Sequence, residues 1–317
     1  MGAALLAWGI ALPAAALHIE YVAVRDPGNA PDTATNCLND APDCGSVAYD
    51  YAISRYEITN SEYAQFLNEV ANEVDTYALY NPAMAIDFPP VPMGFERFYV
   101  VQAGFENLPV VHVSFWDVLR FANWLHNGQP RGLQDETTTE DGAYTITPAA
   151  VAAGEPIARN MGAQSFVPTE NEWYKAAFYD PGDGIRPGIY YDYPAGTDAP
   201  TTCTTTPTAE PNTANCDHDE GGLTSVGSYT GSPSPFGTFD QGGNVWEWNE
   251  TANIRGGSYF NHIDFIAAAA PRPDALLPSE EFHSVGFRVA RLVPEPAQVL
   301  LLLTGGLVLA VARRLRA

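Results

Sequence analysis

Basic residues are scarce in this 317-residue sequence, which has 15 Lys and Arg against 38 Asp and Glu and a net charge of −23. A surface of this sign repels the phosphates of nucleic acids and anionic lipids, and it attracts divalent cations. We therefore expect no nucleic-acid partner. Charged residues make up only 17% of the chain and hydrophobic residues 46%, which is enough apolar material for one large core.

Common enzyme motifs are also missing. The sequence contains no P-loop, no GxGxxG turn and no GxSxG nucleophile elbow. None of the six histidines stands at a helical HxxxH spacing, which removes one frequent signature of a metal centre. No repeat of solenoid period occurs. The abundant residues are instead Gly and Pro, 27 and 26 of them, so turns and irregular loops should be frequent.

Only four cysteines are present, in two close pairs that both lie in Asn-, Asp-, Thr- and Pro-rich sequence. Three connectivities are possible. In an exported protein, local pairing is the simplest, and we favour Cys37 with Cys44 and Cys203 with Cys216. Neither pair has zinc-site spacing backed by histidines, so we do not expect sulfur-bound metal.

Both ends of the chain carry targeting features. Residues 1–16 include a short apolar run that closes on Ala14-x-Ala16, which predicts a secretory signal peptide; the alternative is a buried first helix. Residues 294–317 combine Pro-Glu-Pro, an apolar run over 297–312 and terminal arginines. This order resembles the PEP-CTERM sorting signal of Gram-negative bacteria, although a buried C-terminal helix is the alternative. The resemblance implies export to the cell envelope, surface or extracellular matrix, transient membrane anchoring and processing by an exosortase.

Between these ends we predict one domain, 17–293. A hydroxyl residue stands three positions before an acid at Thr59–Glu62, Ser114–Asp117 and Thr169–Glu172. Each pair predicts a capped helix N-terminus, because the hydroxyl and the acid satisfy free N–H groups of the first turn. Short strands are predicted at 48–58, 143–147, 157–160, 226–229, 253–258 and 286–290, with 143–147 and 157–160 forming a hairpin.

Six blocks occur in an order that resembles the formylglycine-generating enzyme, or sulfatase-modifying factor, family. The resemblance covers roughly residues 20–292 and implies an α+β, loop-rich, duplicated C-type-lectin-like fold with few short helices and strands. The blocks are YEITNSEYAQFLN (56–68), PVVHVSFWDVLRFANWL (109–125), FVPTENEWYKAAFYDP (166–181), PFGTFDQGGNVWEW (235–248), RGGSY (255–259) and GFRVA (286–290).

The stretch FDQGGNVWEW (239–248) raises the question of what neutralises the glutamate between its two tryptophans. In the family the equivalent stretch binds structural calcium, a hard cation that takes six to eight oxygen ligands. The alternative is an ion pair between Glu247 and an arginine, either Arg255 or Arg288. The ligands that the resemblance implies are side-chain oxygens of Asp240 and Glu247 and the backbone carbonyls of Gly243 and Val245.

The resemblance also implies a second calcium site in the loop before this stretch. Its ligands would be Asn215, the carbonyl of Cys216 and Asp219, with Asp217 as an alternative. The other interpretation is that these residues form an acidic loop in contact with water.

The segment RGGSYFNHIDF (255–265) and the residue after it bear on catalysis. Oxidase members of the family carry two cysteines here that bind copper, because soft thiolates suit Cu(I). This chain has Asn261 and Ile266 at those positions, so we expect neither copper nor formylglycine formation. The former active-site groove would be lined by Trp246, Ser258, Asn261, His262 and Ile266.

The sequence thus predicts an exported, surface-anchored pseudoenzyme, a calcium-stabilised module that binds a peptide or a glycan. One alternative is an enzyme of altered oxidative chemistry that uses the same groove, with Asp264 beside His262 as a further candidate residue. Another is a purely structural component of the extracellular matrix. The iron-dependent sulfoxide synthases of the family are not expected, since they need an additional helical domain and a cluster of three histidines.

Overall fold

Three capping boxes begin the three longest helices, as predicted. A computed structural model describes residues 16–33, 44–92, 97–218, 221–270 and 276–293. In each capping box the hydroxyl accepts from the backbone N–H of the acid, and the acid accepts from the N–H of the cap residue. The helices are α1 (Asn60–Val70), α2 (Phe115–His126), α3 (Pro148–Ala153) and α4 (Glu170–Phe178), and one 3₁₀ turn covers Ile263–Phe265.

Helix α3 replaces the hairpin predicted for 143–147 and 157–160, and that prediction was wrong. Thr147 caps the helix, Pro148 occupies the first turn and Gly154 ends it at a left-handed φ of 67°. Proline suits a first helical turn because no partner for its missing N–H is needed there. A single backbone bond, Asn160 N to Ala143 O at 2.8 Å, is the trace of the expected pairing.

The strands are short and form small sheets. The strands are β1 (Tyr21–Val24), β2 (Tyr51–Ser54), β3 (Ile86–Asp87), β4 (Val100–Val101), β5 (Ser165–Phe166), β6 (Tyr179–Asp180), β7 (Ile189–Tyr190), β8 (Thr202–Cys203), β9 (Thr213–Ala214), β10 (Trp246–Trp248), β11 (Ile254–Arg255), β12 (Val285–Phe287) and β13 (Ala290–Leu292). One sheet has the order β1-β2-β13-β5 and the other β11-β10-β12, in which β10 and β12 are parallel. Consecutive strands β12 and β13 belong to different sheets, so the two residues between them join the sheets.

No strand forms at 226–229, where one was predicted. Gly227 has a left-handed φ of 71°, and a Cβ at this position would lie 2.5 Å from the Tyr56 ring. A strand needs extended φ values throughout, so the chain turns here instead. Strands β2 and β11 lie inside the ranges predicted for them, and β12 and β13 overlap the predicted range 286–290.

Aromatic side chains from α1 and α2 form the main core together with β12. Tyr63 and Phe121 stack with ring centroids 6.0 Å apart, and Phe66 lies 5.3 Å from Trp124. Phe287 of β12 meets Phe121 edge to face at 5.2 Å. All five rings are buried. Their contacts fix the two helices against the three-stranded sheet, so the neighbouring loops rest on a rigid support.

Disulfide Cys203–Cys216 forms as predicted and ties β8 to the residues that follow β9. Cys44 is also disulfide-bonded, and its predicted partner, Cys37, lies outside the described residues. The predicted sorting segment 294–317 and nearly all of the predicted signal peptide 1–16 lie outside them too. Within the described part of the chain, no helix has the length and apolar character required to cross a membrane.

Asp117, the acid of the second capping box, is buried and provides a test of this fold by pH. Burial raises the pKa of its carboxyl from 3.8 to about 7, with a further increase from Glu281, and the two bonds from Ser114 and the charge of Arg120 oppose the shift. Between these two values the folded chain binds more protons than the unfolded chain, so the free energy of unfolding decreases as pH rises through this range.

We predict that the free energy of unfolding of Asp117→Asn decreases over the same pH range by at least about 1 kcal/mol less than that of the unmodified chain. Both bonds from Ser114 end on one oxygen of Asp117, and the single amide oxygen of asparagine can accept them. Urea unfolding at a series of pH values measures the effect, with the exposed Asp141→Asn as control. A variant as pH-dependent as the unmodified chain would show that Asp117 keeps an ordinary pKa.

Candidate functional site

Glu247, at the centre of β10, is paired with Arg288. The two side chains are fully buried and form two parallel bonds, from Nε to Oε2 at 2.5 Å and from Nη2 to Oε1 at 2.6 Å. The indole Nε1 of Trp173 donates a third bond to Oε2 at 2.6 Å. Arg288, one of the two arginines considered for Glu247, therefore supplies a counter-charge to this carboxylate.

The other N–H groups of Arg288 hold backbone carbonyls of neighbouring segments. Nη1 donates to Ser54 O at 3.0 Å, and Nη2 donates to Phe239 O at 2.9 Å. Arg288 itself lies between β12 and β13, where the chain passes from one sheet to the other. One guanidinium thus joins both sheets and the loop that precedes β10.

Arg255, the other arginine considered for Glu247, pairs elsewhere. It lies directly opposite Glu247 in the β10–β11 register, but its Nε donates to Glu170 of α4 at 2.8 Å. Both partners are largely buried. Although Arg255 and Glu247 are opposite each other on neighbouring strands, they do not form an ion pair. Arg255 instead fixes the start of α4 against the sheet.

The first predicted calcium site contains Asp240, Gly243, Val245 and Glu247. Asp240 accepts the Gly227 N–H at 2.6 Å through Oδ2. Burial raises the pKa of Asp240 to about 6, against the effects of this bond and of Arg288. Asp240 and the backbone carbonyls suit a hard cation. Both oxygens of Glu247 accept bonds, from Arg288 and Trp173, and a carboxylate has about four lone-pair sites in all.

The second predicted site has one residue with a clear free acceptor. Asn215 is buried, and its amide nitrogen donates to Gly222 O at 2.9 Å, while its Oδ1 has no partner among the described residues. A buried, unpaired acceptor is costly, so this oxygen suits a cation or a water molecule. Cys216 is held by its disulfide, and Asp219 lies outside the described residues. The alternative residue Asp217 is exposed and has a left-handed φ of 61°.

Two residues that sequence reasoning missed connect these predicted sites. Asn244 donates to Glu57 Oε1 at 3.0 Å and accepts from the Asn215 amide at 3.2 Å. Glu57 is 1% exposed, and its Oε2 has no partner in the described structure. A sequence feature did point to Glu57, because this residue lies in the block YEITNSEYAQFLN directly before the apolar residue Ile58. An acid in a buried context predicts a partner, but not which one.

The predicted groove residues are brought together around a polar bond and an apolar cluster. Ser258 Oγ donates to Asn261 Oδ1 at 2.5 Å, and Ser258 is buried. Ile266 is 1% exposed and clusters with Ala214 and Cys216. It also lines a cavity of about 20 Å³, which is water-sized. The positions of Asn261 and Ile266 are thus filled by an amide bonded to a hydroxyl and by a close-packed hydrocarbon.

The remaining groove residues have different surroundings. Trp246 is buried, and its ring meets Phe265 edge to face at 5.8 Å. His262 and Asp264 are exposed and lie 3.1 Å apart. Phe260 is 36% exposed and packs on Tyr259 and His283. Within the described ranges, no three His, Cys, Asp or Glu side chains are arranged to hold a metal ion.

Comparisons with known proteins agree with this architecture. A profile of the sulfatase-modifying factor enzyme 1-like domain matches residues 20–293. The chain belongs to this family. A search among curated proteins found no match. Among solved structures the chain is similar to CarF, with 21% identity over 88% of this chain and 100% of that one, and a TM-score of 0.52.

Two further structures resemble this member of the sulfatase-modifying factor family. PvdO from Pseudomonas aeruginosa is 20% identical over 86% of this chain and 92% of its own, with a TM-score of 0.45. Treponema denticola variable protein 1 is 15% identical over 86% and 95%, with a TM-score of 0.47. At these identities the similarity concerns the fold. The α+β, loop-rich architecture with few short helices and strands is that of the family, as predicted.

We predict that Arg288→Met lowers the free energy of unfolding by about 3–5 kcal/mol, because it leaves the buried Glu247 carboxylate without its counter-charge. Urea unfolding of the purified chain measures the loss. Arg186→Met is the control, since Arg186 forms an exposed pair with Asp183 and its removal should cost less than about 1 kcal/mol. Equal effects of the two variants would contradict a special role for Arg288.

Proposed function

We propose that this member of the sulfatase-modifying factor family is an exported, calcium-stabilised module that binds a peptide or a glycan and has no formylglycine-generating oxidase activity. The observation that carries this proposal is the state of the two positions where oxidase members have their cysteines. Asn261 is bonded to Ser258, and Ile266 is buried in a small apolar cluster. Neither side chain offers a thiolate to Cu(I).

Sulfur from elsewhere in the chain does not substitute for the missing pair. Cys216 shares the cluster of Ile266, but it is bonded to Cys203. Disulfide sulfur is a poor metal ligand compared with a thiolate. The neighbouring disulfide therefore supports a structural use of this region over a redox one.

Exposed rings beside the groove support a binding role. Tyr259, Phe260 and His283 pack together, with centroids 5.3 Å apart for Tyr259–Phe260 and 5.7 Å for Phe260–His283. Phe282 next to them is 39% exposed. Rings with one apolar face and a polar edge suit stacking on sugars or on peptide side chains. These rings form a ligand surface that needs no catalytic group.

The enzyme of altered oxidative chemistry is less well supported. The Ser258 hydroxyl donates a hydrogen bond to an amide oxygen and not to a base, so it is not activated as a nucleophile. His262 pairs with Asp264 at the exposed surface, where water competes for both groups. Neither arrangement supplies a buried, oriented base.

Export and anchoring complete the proposal. The paired cysteines fit an oxidising compartment, and the Pro-Glu-Pro tail with its arginines would hold the protein at the membrane until an exosortase removes it. The strongly acidic surface suits a calcium-containing exterior.

We predict that the full-length protein, incubated with Cu(I), oxygen and a cysteine-containing sulfatase peptide, yields no aldehyde that a hydrazide probe can capture. Competition with a Cu(I) chelator should show no high-affinity site. The variant Asn261→Cys/Ile266→Cys should bind Cu(I) at least about tenfold more tightly, because it restores a thiolate pair. Aldehyde formation by the unmodified chain would overturn the pseudoenzyme proposal.

We also predict that calcium raises the Tm of the full-length protein. A ligand that binds only the folded state stabilises it by about 2.7 kcal/mol at a concentration of 100 Kd. Thermal unfolding in calcium and in chelator, with magnesium as the comparison ion, measures the shift. Asp240→Asn should reduce it, whereas the exposed Asp183→Asn should not. An unchanged Tm would remove calcium from the proposal.

A further inference from the structure

A cavity of about 480 Å³ lies beside the first turn of α1, where the end of β2 and the segment before β1 meet two loops. None of the predicted groove residues and none of the exposed rings near Tyr259 lines it. Three of its lining residues are glutamates, Glu20, Glu57 and Glu62. No lysine or arginine is among the described residues that form its wall. The cavity therefore has acidic charge without a basic residue of its own.

Glu57 is the buried member of this group, with a side chain that is 1% exposed. Its Oε1 accepts from the Asn244 amide at 3.0 Å, whereas Oε2 is buried without a partner in the described structure. Burial raises the pKa of Glu57 well above its usual range, and the charges of Asp240 and Glu247 raise it further. A buried carboxyl group of this kind needs a proton or a cation to compensate it.

The arginines near this cavity are used elsewhere. Arg288 attracts the Glu57 carboxylate but is bonded twice to Glu247. Arg55 pairs with Glu20 at 2.6 Å, in a partly exposed ion pair. A cleft whose wall carries one sign of charge concentrates the field inside it, and a buried carboxylate attracts a cation more strongly than an exposed one does. A cationic ligand would thus be favoured in the cavity.

The donor set does not suit a metal ion. In the described part of the chain, no three acidic side chains are arranged to hold one. Asn244 presents its amide N–H to Glu57, and its oxygen already accepts from Asn215 and from Thr224. Glu62 is occupied as the cap of α1. Charge spread over separate carboxylates favours an organic cation over a compact inorganic one.

The rest of the wall suits an alkyl chain with a polar end. Ile19, Ile58 and Val226 offer apolar contact, and the hydroxyls of Ser61 and Ser225 offer acceptors. An alkylammonium group has three N–H donors and no acceptor, so hydroxyl and carboxylate oxygens can satisfy it while its methylenes contact the apolar residues.

We propose that this cavity binds a primary ammonium group on an alkyl chain, with Glu57 as its buried counter-charge. Such a group is carried by a free diamine or polyamine and by the lysine side chain of a partner protein. The site is separate from the exposed rings and from the predicted calcium ligands, and it does not depend on the function proposed above.

Calorimetric titration of the full-length chain with butane-1,4-diamine and with Nα-acetyl-lysine amide tests the site and separates its two sources. We expect at least one of them to bind, and butane-1,4-diol, which has no charge, not to bind. Binding of the diamine alone identifies a free amine as the ligand, and binding of the lysine derivative alone identifies a partner's side chain. If neither amine binds, or if the diol binds as tightly as the diamine, the proposal is overturned.

Two variants place the ligand in this cavity. Glu57→Gln keeps an amide oxygen for Asn244 and removes the charge, so we expect amine binding at least about tenfold weaker. Ser61→Lys puts an ammonium group of the chain itself at an exposed position of the wall, and it should weaken binding similarly. Glu69→Gln is the matched control, since Glu69 also belongs to α1 but lines a different cavity, and its Kd should be unchanged.

Circular dichroism establishes that each variant is folded. If Glu57→Gln does not fold, Ser61→Lys decides the question, because its side chain is exposed. An unchanged Kd in either folded variant, or an equal loss of binding in Glu69→Gln, shows that the amine does not bind in this cavity.

Discussion

The buried ion pair between Arg288 and Glu247 is the contact on which the arrangement of the site depends. Neither residue reaches water, so each charge is tolerable only while the other is in place. Trp173 of α4 donates to the same carboxylate, and the guanidinium holds carbonyls at the end of β2 and before β10. Four separated segments are therefore positioned by one pair of side chains, in a fold whose strands are two to four residues long.

That pairing changes what the neighbouring carboxylates can do. Once Arg288 is committed to Glu247, Asp240 and Glu57 must be neutralised by protons or by an ion. The raised pKa values of both groups express this cost. The charge balance of this buried cluster is therefore set by the pair between Arg288 and Glu247.

Local signals were readable from the sequence, and long-range partners were not. The capping boxes at Thr59, Ser114 and Thr169 predicted three helix starts because both bonds of a capping box join residues three positions apart. The hairpin predicted from 143–147 and 157–160 was wrong because Pro148 and Gly154 mark the start and the end of a helix between them. The ends of the chain lie outside the described residues, so their predicted roles stay predictions. The partner of Glu247 lies 41 residues away, and no local pattern distinguishes Arg288 from Arg255.

A loop-rich domain needs rigidity from sources other than helices and sheets. Here the segment 203–216 is tied by a disulfide, and Cys216 clusters with Ile266, the residue at the position where the oxidase members of the family have a cysteine. A thiolate must stay accessible and polarised, whereas a buried isoleucine gains stability from close packing. In this chain residue 266 is part of the core.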